Sequence, residues 1–361
     1  MIKSKKILII IQRSNGDVLL SLKLINALYG HYKSPKIDLL INDDTLSVAK
    51  LFPHINKILT FSYQKKENKR WMQEKNIFRL ILRKYDLSIN LTSSDRSVIY
   101  ALLASKKSIS AVEHDNFKAW WKKILLKYHF TFDMNSHILI NNLKPLSFLG
   151  LNALNHQAQP SFNQAASTSM RDKLHKLKIT KFIIFHPSAQ YNFKVYDKKL
   201  RDDLLYLLNT LNISIIISGG KNEIDTKIKA SLPKLNNIYD FIGDTSIDEY
   251  ICLSLLSEGY IGMDTLNMHI AASQNKRVFA IFGPTKLNMW SPWSNNLQIS
   301  AIDAKPIQTY DNITIFQADM PCVACGEKGC KNNGLVSECL SNISPSLIFK
   351  EIEEWLLSHS L

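Results

Sequence analysis

Short runs of aliphatic residues, each followed by an amphipathic stretch, set the rhythm of this chain. Ile7–Ile11 is the first run, and five apolar residues in succession predict a buried strand. Asp17 to Tyr29 follows, with Val18, Leu19, Leu22, Ile25 and Leu28 near helical spacing. Strands are further predicted over Lys36–Ile41, Ile58–Phe61, Leu87–Leu91 and Lys107–Val112. Between them lie helices over Asp44–Leu51 and Arg96–Leu103, and another that ends in Arg79–Tyr85. Residues 152–169 have weak periodicity and little apolar weight, which predicts a linker crossing at about 160 to 170. The pattern then restarts. Phe182–Phe185, Ile213–Ser218, Ile238–Phe241, Gly259–Met263 and Val278–Phe282 read as strands. Helices are predicted over Leu200–Leu211, Ile224–Leu232, Ile247–Ser257 and Met268–Ser273, and Leu347–Leu357 forms a last amphipathic one.

Strand–helix alternation with short loops predicts parallel sheets covered on both faces. The expected class is α/β, with two doubly wound domains in series: 1–165, then 166–345, then a terminal helix over 346–361 that packs back toward the first domain. At 361 residues the chain suits two cores better than one. Its longest apolar runs fall far short of the roughly 20 residues of a transmembrane helix. The basic start before Ile7 has too short an apolar core for a signal peptide, and Gln12-Arg13 follow with no small-residue cleavage site. A cytoplasmic protein is expected. The formal net charge of +14 points to an acidic partner: nucleic acid, an anionic membrane face or an anionic substrate.

Ligands of such sheets sit beyond the carboxyl ends of the strands, so the chemistry is sought there. The first strand runs into Gln12-Arg13-Ser14-Asn15-Gly16-Asp17. Gly16 suits a tight turn. Asp17 at the helix start is either a general base for an attacking hydroxyl or a helix cap. In the second half, His186-Pro187-Ser188 leads to Lys194, within reach of a diphosphate. Ser218-Gly219-Gly220 leads to Glu223, a partner for ribose hydroxyls or part of a plain turn. The most informative block is Gly262-Met263-Asp264-Thr265-Leu266-Asn267-Met268-His269. Its strand-to-helix junction offers free N–H groups to a pyrophosphate, while His269, one turn in, reads better as a structural histidine than as a phosphate ligand. Phe282-Gly283-Pro284-Thr285 and Trp290-Ser291-Pro292-Trp293 follow.

Together, the Asn-Gly-Asp turn, the loop after His186-Pro187, the Met-Asp-Thr-x-x-Met-His-Ile-Ala-Ala block, Phe-Gly-Pro-Thr and Trp-x-Pro-Trp resemble glycosyltransferase family 9, the ADP-heptose:lipopolysaccharide heptosyltransferases. The tail containing Cys322, Cys325, Cys330 and Cys339 is most similar to the heptosyltransferase III branch. The resemblance implies a GT-B fold, two Rossmann-like domains facing a central cleft, the first binding acceptor and the second nucleotide sugar. It implies inverting heptose transfer from ADP-heptose to an inner-core sugar of lipopolysaccharide, with no cofactor for catalysis. By the same resemblance Asp17 is the base, Lys194 binds phosphate, Glu223 the nucleotide ribose and Asp264 the donor. Ser188, Gly219, Thr265, Leu266, Asn267 and His269 complete the donor-binding set. Leu266 stands where many members have glycine, which leaves a different nucleotide sugar, or a protein acceptor, as the rival reading.

Two stretches, Lys65–Lys84 and Lys118–Lys127, mix Lys and Arg with Trp, Phe and Leu. Both suit the inner-leaflet membrane surface and predict peripheral attachment to the inner membrane. No recognition helix or aromatic single-strand platform supports a nucleic-acid partner. The four clustered cysteines follow C-x2-C-x4-C-x8-C. Either a structural zinc bound by four thiolates or buried free thiols would explain them.

Overall fold

The computed structural model describes residues 5–64, 67–152 and 159–359. The chain divides into two compact units at Ser161/Phe162, where a boundary at 165/166 was expected. Of the predicted linker, residues 153–158 lie outside the described residues. Its second half is helical from Gln164, because the Asn163 side chain accepts the Ala166 N–H and Ala166, Met170 and Leu174 bury one face.

The first unit runs β1 (Lys6–Ile11), α1 (Asn15–Leu19), α2 (Leu22–His31), β2 (Lys36–Asn42), α3 (Leu46–Ala49), β3 (Ile55–Phe61), α4 (Glu67–Ile81), β4 (Leu87–Asn90), α5 (Asp95–Ala104), β5 (Ser108–Val112), α6 (Asn116–Leu125), β6 (Tyr128–Thr131) and α7 (Ile138–Leu143). Its sheet has the order β3-β2-β1-β4-β5-β6, all parallel among the described residues. Ile7 to Ile11 are fully buried, as an internal strand between two layers of helices requires. The helix expected over Asp17–Tyr29 is two helices. Ser21 breaks it by turning both its N–H and its hydroxyl back to the Val18 carbonyl.

The second unit runs α8 (Gln164–Lys176), β7 (Phe182–His186), α9 (Lys198–Leu208), β8 (Ser214–Ile217), α10 (Glu223–Ala230), β9 (Ile238–Asp240), α11 (Ile247–Leu256), β10 (Gly259–Met263), α12 (Leu266–Ser273), β11 (Arg277–Ile281), α13 (Leu287–Trp290), β12 (Ile307–Tyr310), β13 (Ile313–Phe316), α14 (Glu338–Ser341) and α15 (Pro345–His359). Its sheet order is β12-β13-β11-β10-β7-β8-β9, with β12 antiparallel at the edge. The final helix, expected to return to the first domain, is part of this unit. Ile348 and Ile352 are fully buried in its core, and Trp355 packs edge-on against Phe279, with ring centroids 5.6 Å apart.

Each sheet has one switch point between neighbouring parallel strands. In the first it is between β1 and β4, and in the second between β7 and β10. The loops leaving those strands diverge to opposite faces, which opens a crevice at the carboxyl edge.

Candidate functional site: the two switch points

In the second unit, the loops leaving β7 and β10 meet at the switch point. Lys194, in a short 3-10 turn after β7, and Asp264, the first residue after β10, form an ion pair with Nζ 2.8 Å from Oδ2. The Asp264 side chain is 8% exposed. A carboxylate so buried needs a cation beside it, and Lys194 is that cation. The strands come together closely here. A Cβ on Gly262 would lie 2.4 Å from the His186 carbonyl oxygen, so β10 admits only glycine at this position.

The next element is α12. Its N-cap residue Thr265 is extended and makes no side-chain cap bond. The hydroxyl instead lies 3.4 Å from the Tyr260 phenol. The first turn of α12 thus keeps its N–H groups and the positive end of its dipole for a ligand. Leu266 is the first helical residue and is half-buried, while His269 is 4% exposed inside the helix.

Behind the pair sits a polar network that the sequence did not reveal. His186 ends β7, and its Nδ1–H donates to the Ser218 carbonyl at 3.0 Å. Asn267 Nδ2 lies 3.1 Å from Nδ1 and 3.4 Å from Nε2, and with the Nδ1 proton given to the carbonyl, Nε2 is the nitrogen that can accept from it. Burial pushes the imidazole down to about 4, against a partial counter-pull from Asp225 and the Ser218 hydrogen bond. His186 is therefore neutral at neutral pH and couples α12 to the β8 turn. Unfolding raises it to an ordinary value near 6.5. The unfolded chain binds the extra proton in this window, so stability is full above about pH 6.5 and falls as pH drops toward 4, by about 3 kcal/mol. In urea unfolding, His186→Gln should lose correspondingly less stability than wild type over that window. Identical slopes would remove His186 as the source.

The β8 turn places Gly219 and Gly220 against the buried Asp225 carboxylate, and a Cβ on either glycine would meet its oxygens at 2.8 and 2.9 Å. Asp225 was not singled out from sequence. The signal was Asn222 three residues before it, whose side chain accepts the Asp225 N–H at 2.9 Å. Glu223 follows the same turn. It is exposed at the start of α10, paired with Lys227 at 2.6 Å, which holds its carboxyl below the usual range. Ser188 is buried in the loop between β7 and Lys194.

In the first unit, Asp17 does the work of a cap whatever else it does. Its Oδ2 accepts the Ser14 hydroxyl at 2.7 Å and the Ser14 N–H at 3.3 Å. Arg13 lies 3.8 Å away, and its guanidinium covers the Phe132 ring. Gly16 is inside α1 and has no positive φ, so the tight turn expected of it is absent. Gln12, at the carboxyl end of β1, donates its N–H to Thr92 beyond β4. Its buried carboxamide has no hydrogen-bond partner among the described residues.

Among the described residues no three His, Cys, Asp or Glu side chains are placed to hold an ion. Cys322 and Cys325 are exposed, Cys330 is half-buried, and Cys339 lies in the apolar core. Burial, with the other three thiols nearby, pushes the Cys339 thiol up to about 11. The segment braces the site. The Ser337 hydroxyl donates to the Phe193 carbonyl at 2.7 Å, next to Lys194, and Leu340 packs against Gly283.

The whole chain superposes on solved transferases. A glycosyl transferase family 9 structure from Veillonella parvula matches with a TM-score of 0.77 at 16% identity, covering 98% of this chain and 97% of that one. E. coli heptosyltransferase WaaC with ADP matches at 0.71 and 14% identity, over 97% and 99%. Two parallel sheets, each with its crevice, thus define a GT-B protein. Residues 75–320 match the family model described as glycosyltransferase family 9 (heptosyltransferase), and the chain belongs to that family. Among curated relatives, lipopolysaccharide heptosyltransferase 3 of Escherichia coli is 27% identical over 309 residues, 83% of this chain and 90% of that protein.

Proposed function

We propose that this protein transfers heptose from ADP-heptose to an inner-core sugar of lipopolysaccharide, the acceptor sugar itself being a heptose. One observation carries the reading: the Lys194–Asp264 pair stands beside the uncapped first turn of α12, at the switch point of the second sheet. That arrangement supplies what a departing nucleoside diphosphate needs, a lysine charge and aligned N–H groups already in place. Family membership and the curated relative support heptose as the sugar and lipopolysaccharide as the acceptor, and the similar WaaC structure, solved with ADP, supports ADP as the nucleotide.

In this mechanism the acceptor hydroxyl attacks the anomeric carbon from the face opposite ADP, giving inversion. Asp17 takes the hydroxyl proton as the new bond forms. Lys194 and the α12 N-terminus take up the charge that develops on the diphosphate, so no metal is required. The enzyme works on the cytoplasmic side of the inner membrane, where a lipid-anchored acceptor presents its sugars. Among the described residues no helix is long and apolar enough to cross a membrane, and attachment is peripheral.

The test is mass spectrometry of a truncated core lipopolysaccharide incubated with ADP-heptose and the protein, expected to gain one heptose. Thermal stabilisation by ADP but not by UDP or GDP should accompany it. Stabilisation by UDP or GDP instead would move the reading to another nucleotide sugar, and Leu266 would be the first residue to exchange.

A further inference from the structure

Helix α6 is built inside out. Successive residues of a helix turn by about 100°, so Phe117, Trp120 and Ile124 share one face, and Ala119 and Lys122 share the opposite one. An ordinary surface helix packs its large apolar side chains and exposes its lysines. Here Phe117 is 88% exposed, Trp120 61%, Ile124 72% and the neighbouring Leu125 59%. The inward face has Ala119, with Leu126 just beyond the helix, in a small core with Val98 and Val112 against which the partly buried Trp121 packs, and alongside them the fully buried Lys122.

Lys122 is what fixes this orientation. Its ammonium lies 2.6 Å from a Glu113 carboxylate oxygen and 2.7 Å from an Asp95 one, and it donates to the Ser93 carbonyl. A buried ammonium must be paired on several sides, and those partners come from the ends of β4 and β5 and the start of α5. Turning α6 over to hide its aromatics would strip the lysine of all three. The exposed stripe amounts to on the order of 500 Å² of apolar surface, as large as the greatest patch on a typical monomer.

The surroundings say what covers it. Lys118 and Lys123 flank the stripe on its two sides, one about 110° round the helix in each direction, and Lys127 follows the helix. The second basic stretch of the sequence differs. Lys65 and Lys66 lie outside the described residues, and α4 buries Ile77 and Ile81 in the usual way, leaving Trp71, Met72 and the less exposed Leu80 outside.

We infer that α6 is the membrane-docking element: it lies along an anionic bilayer surface with Phe117, Trp120 and Ile124 inserted among the acyl chains and Lys118, Lys123 and Lys127 at the phosphates. Lysines flanking an aromatic and aliphatic stripe match the chemistry of an anionic interface. The inference rests on the proposed function only in that the acceptor is taken to be lipid-anchored.

The experiment is cosedimentation of the full chain with vesicles of phosphatidylethanolamine and phosphatidylglycerol, against phosphatidylcholine alone. Wild type should bind the anionic vesicles, less so at high salt. The Phe117→Ser/Trp120→Ser/Ile124→Ser variant should bind about tenfold more weakly or worse. Lys118→Glu/Lys123→Glu should lose the preference for anionic lipid. Since all five positions lie outside the reaction centre, both variants should keep the wild-type melting temperature and the wild-type transfer rate to a soluble, delipidated core oligosaccharide. Equal vesicle binding by wild type and the triple variant would overturn the inference. So would a wild-type dimer that the triple variant dissolves with no vesicle binding by either, which would make the occupant a second copy of this chain. Vesicle binding that depends on the stripe, in a protein that transfers no heptose, would support the docking element and sink the proposed reaction.

Discussion

Asp17→Asn is expected to lower kcat for heptose transfer by roughly 10²- to 10⁴-fold, the range usual for removing a general base, while ADP binding stays near wild type. Asparagine is the informative exchange because of what Asp17 does in the fold. Its Oδ2 accepts both the N–H and the hydroxyl of Ser14, closing the first turn of α1. An amide oxygen can still accept those bonds, whereas Asp17→Ala would add about 1 kcal/mol of cap loss and mix folding with chemistry. What asparagine lacks is the proton-accepting carboxylate and, with it, the charge that faces Arg13. Steady-state rates with ADP-heptose and a truncated core acceptor, read beside urea unfolding of the same samples, separate the two roles. An Asp17→Asn enzyme that turns over at the wild-type rate would leave Asp17 as a cap alone and send the search for the base to other residues at the β1–β4 crevice.

The chain announces its strands because internal parallel strands are buried on both faces and so read as unbroken apolar runs. Ile7–Ile11 is legible for that reason, as is the Ile215–Ile217 centre of the strand predicted over Ile213–Ser218. The edge hairpin of β12 and β13 was missed because its four-residue strands carry Gln308, Thr309 and Thr314 among their apolar residues. The signal was Asp311-Asn312 between them, with Asp311 at a φ of 52°, the left-handed backbone that a tight hairpin demands. The break at Ser21 was illegible because the apolar spacing runs through it undisturbed.

The orientation of α6 shows a different limit. Periodicity says that Phe117, Trp120 and Ile124 share a face, but not which face packs. That was settled by Glu113 and Asp95, brought to Lys122 from other elements. The candidate donor site was legible as residue types at strand ends. Its central contact was not, since Lys194 and Asp264 are 70 positions apart and meet only because β10 lies beside β7. His186 and Asp225 were overlooked as site residues because each looks like ordinary turn punctuation until its burial is known.

That central contact sets the second large effect. Lys194→Met should weaken ADP binding by about 2 to 4 kcal/mol, roughly 30- to 1,000-fold. The loss has two parts. The diphosphate loses the lysine charge, and Asp264, with its side chain 8% exposed, is left as an unpaired buried carboxylate facing an incoming anion. The second part is removable. In Lys194→Met/Asp264→Asn no orphan charge remains to repel the phosphates, so the double variant should bind ADP more tightly than Lys194→Met alone. Titration calorimetry of wild type, both single variants and the double variant gives the coupling energy directly. A large coupling of this sign means that the pair acts as a unit: Asp264 holds the lysine ready in the empty site and then shares it with the diphosphate. Additive losses would mean that Lys194 and Asp264 meet the nucleotide independently, and that their ion pair is a feature of the unliganded protein with no bearing on donor affinity.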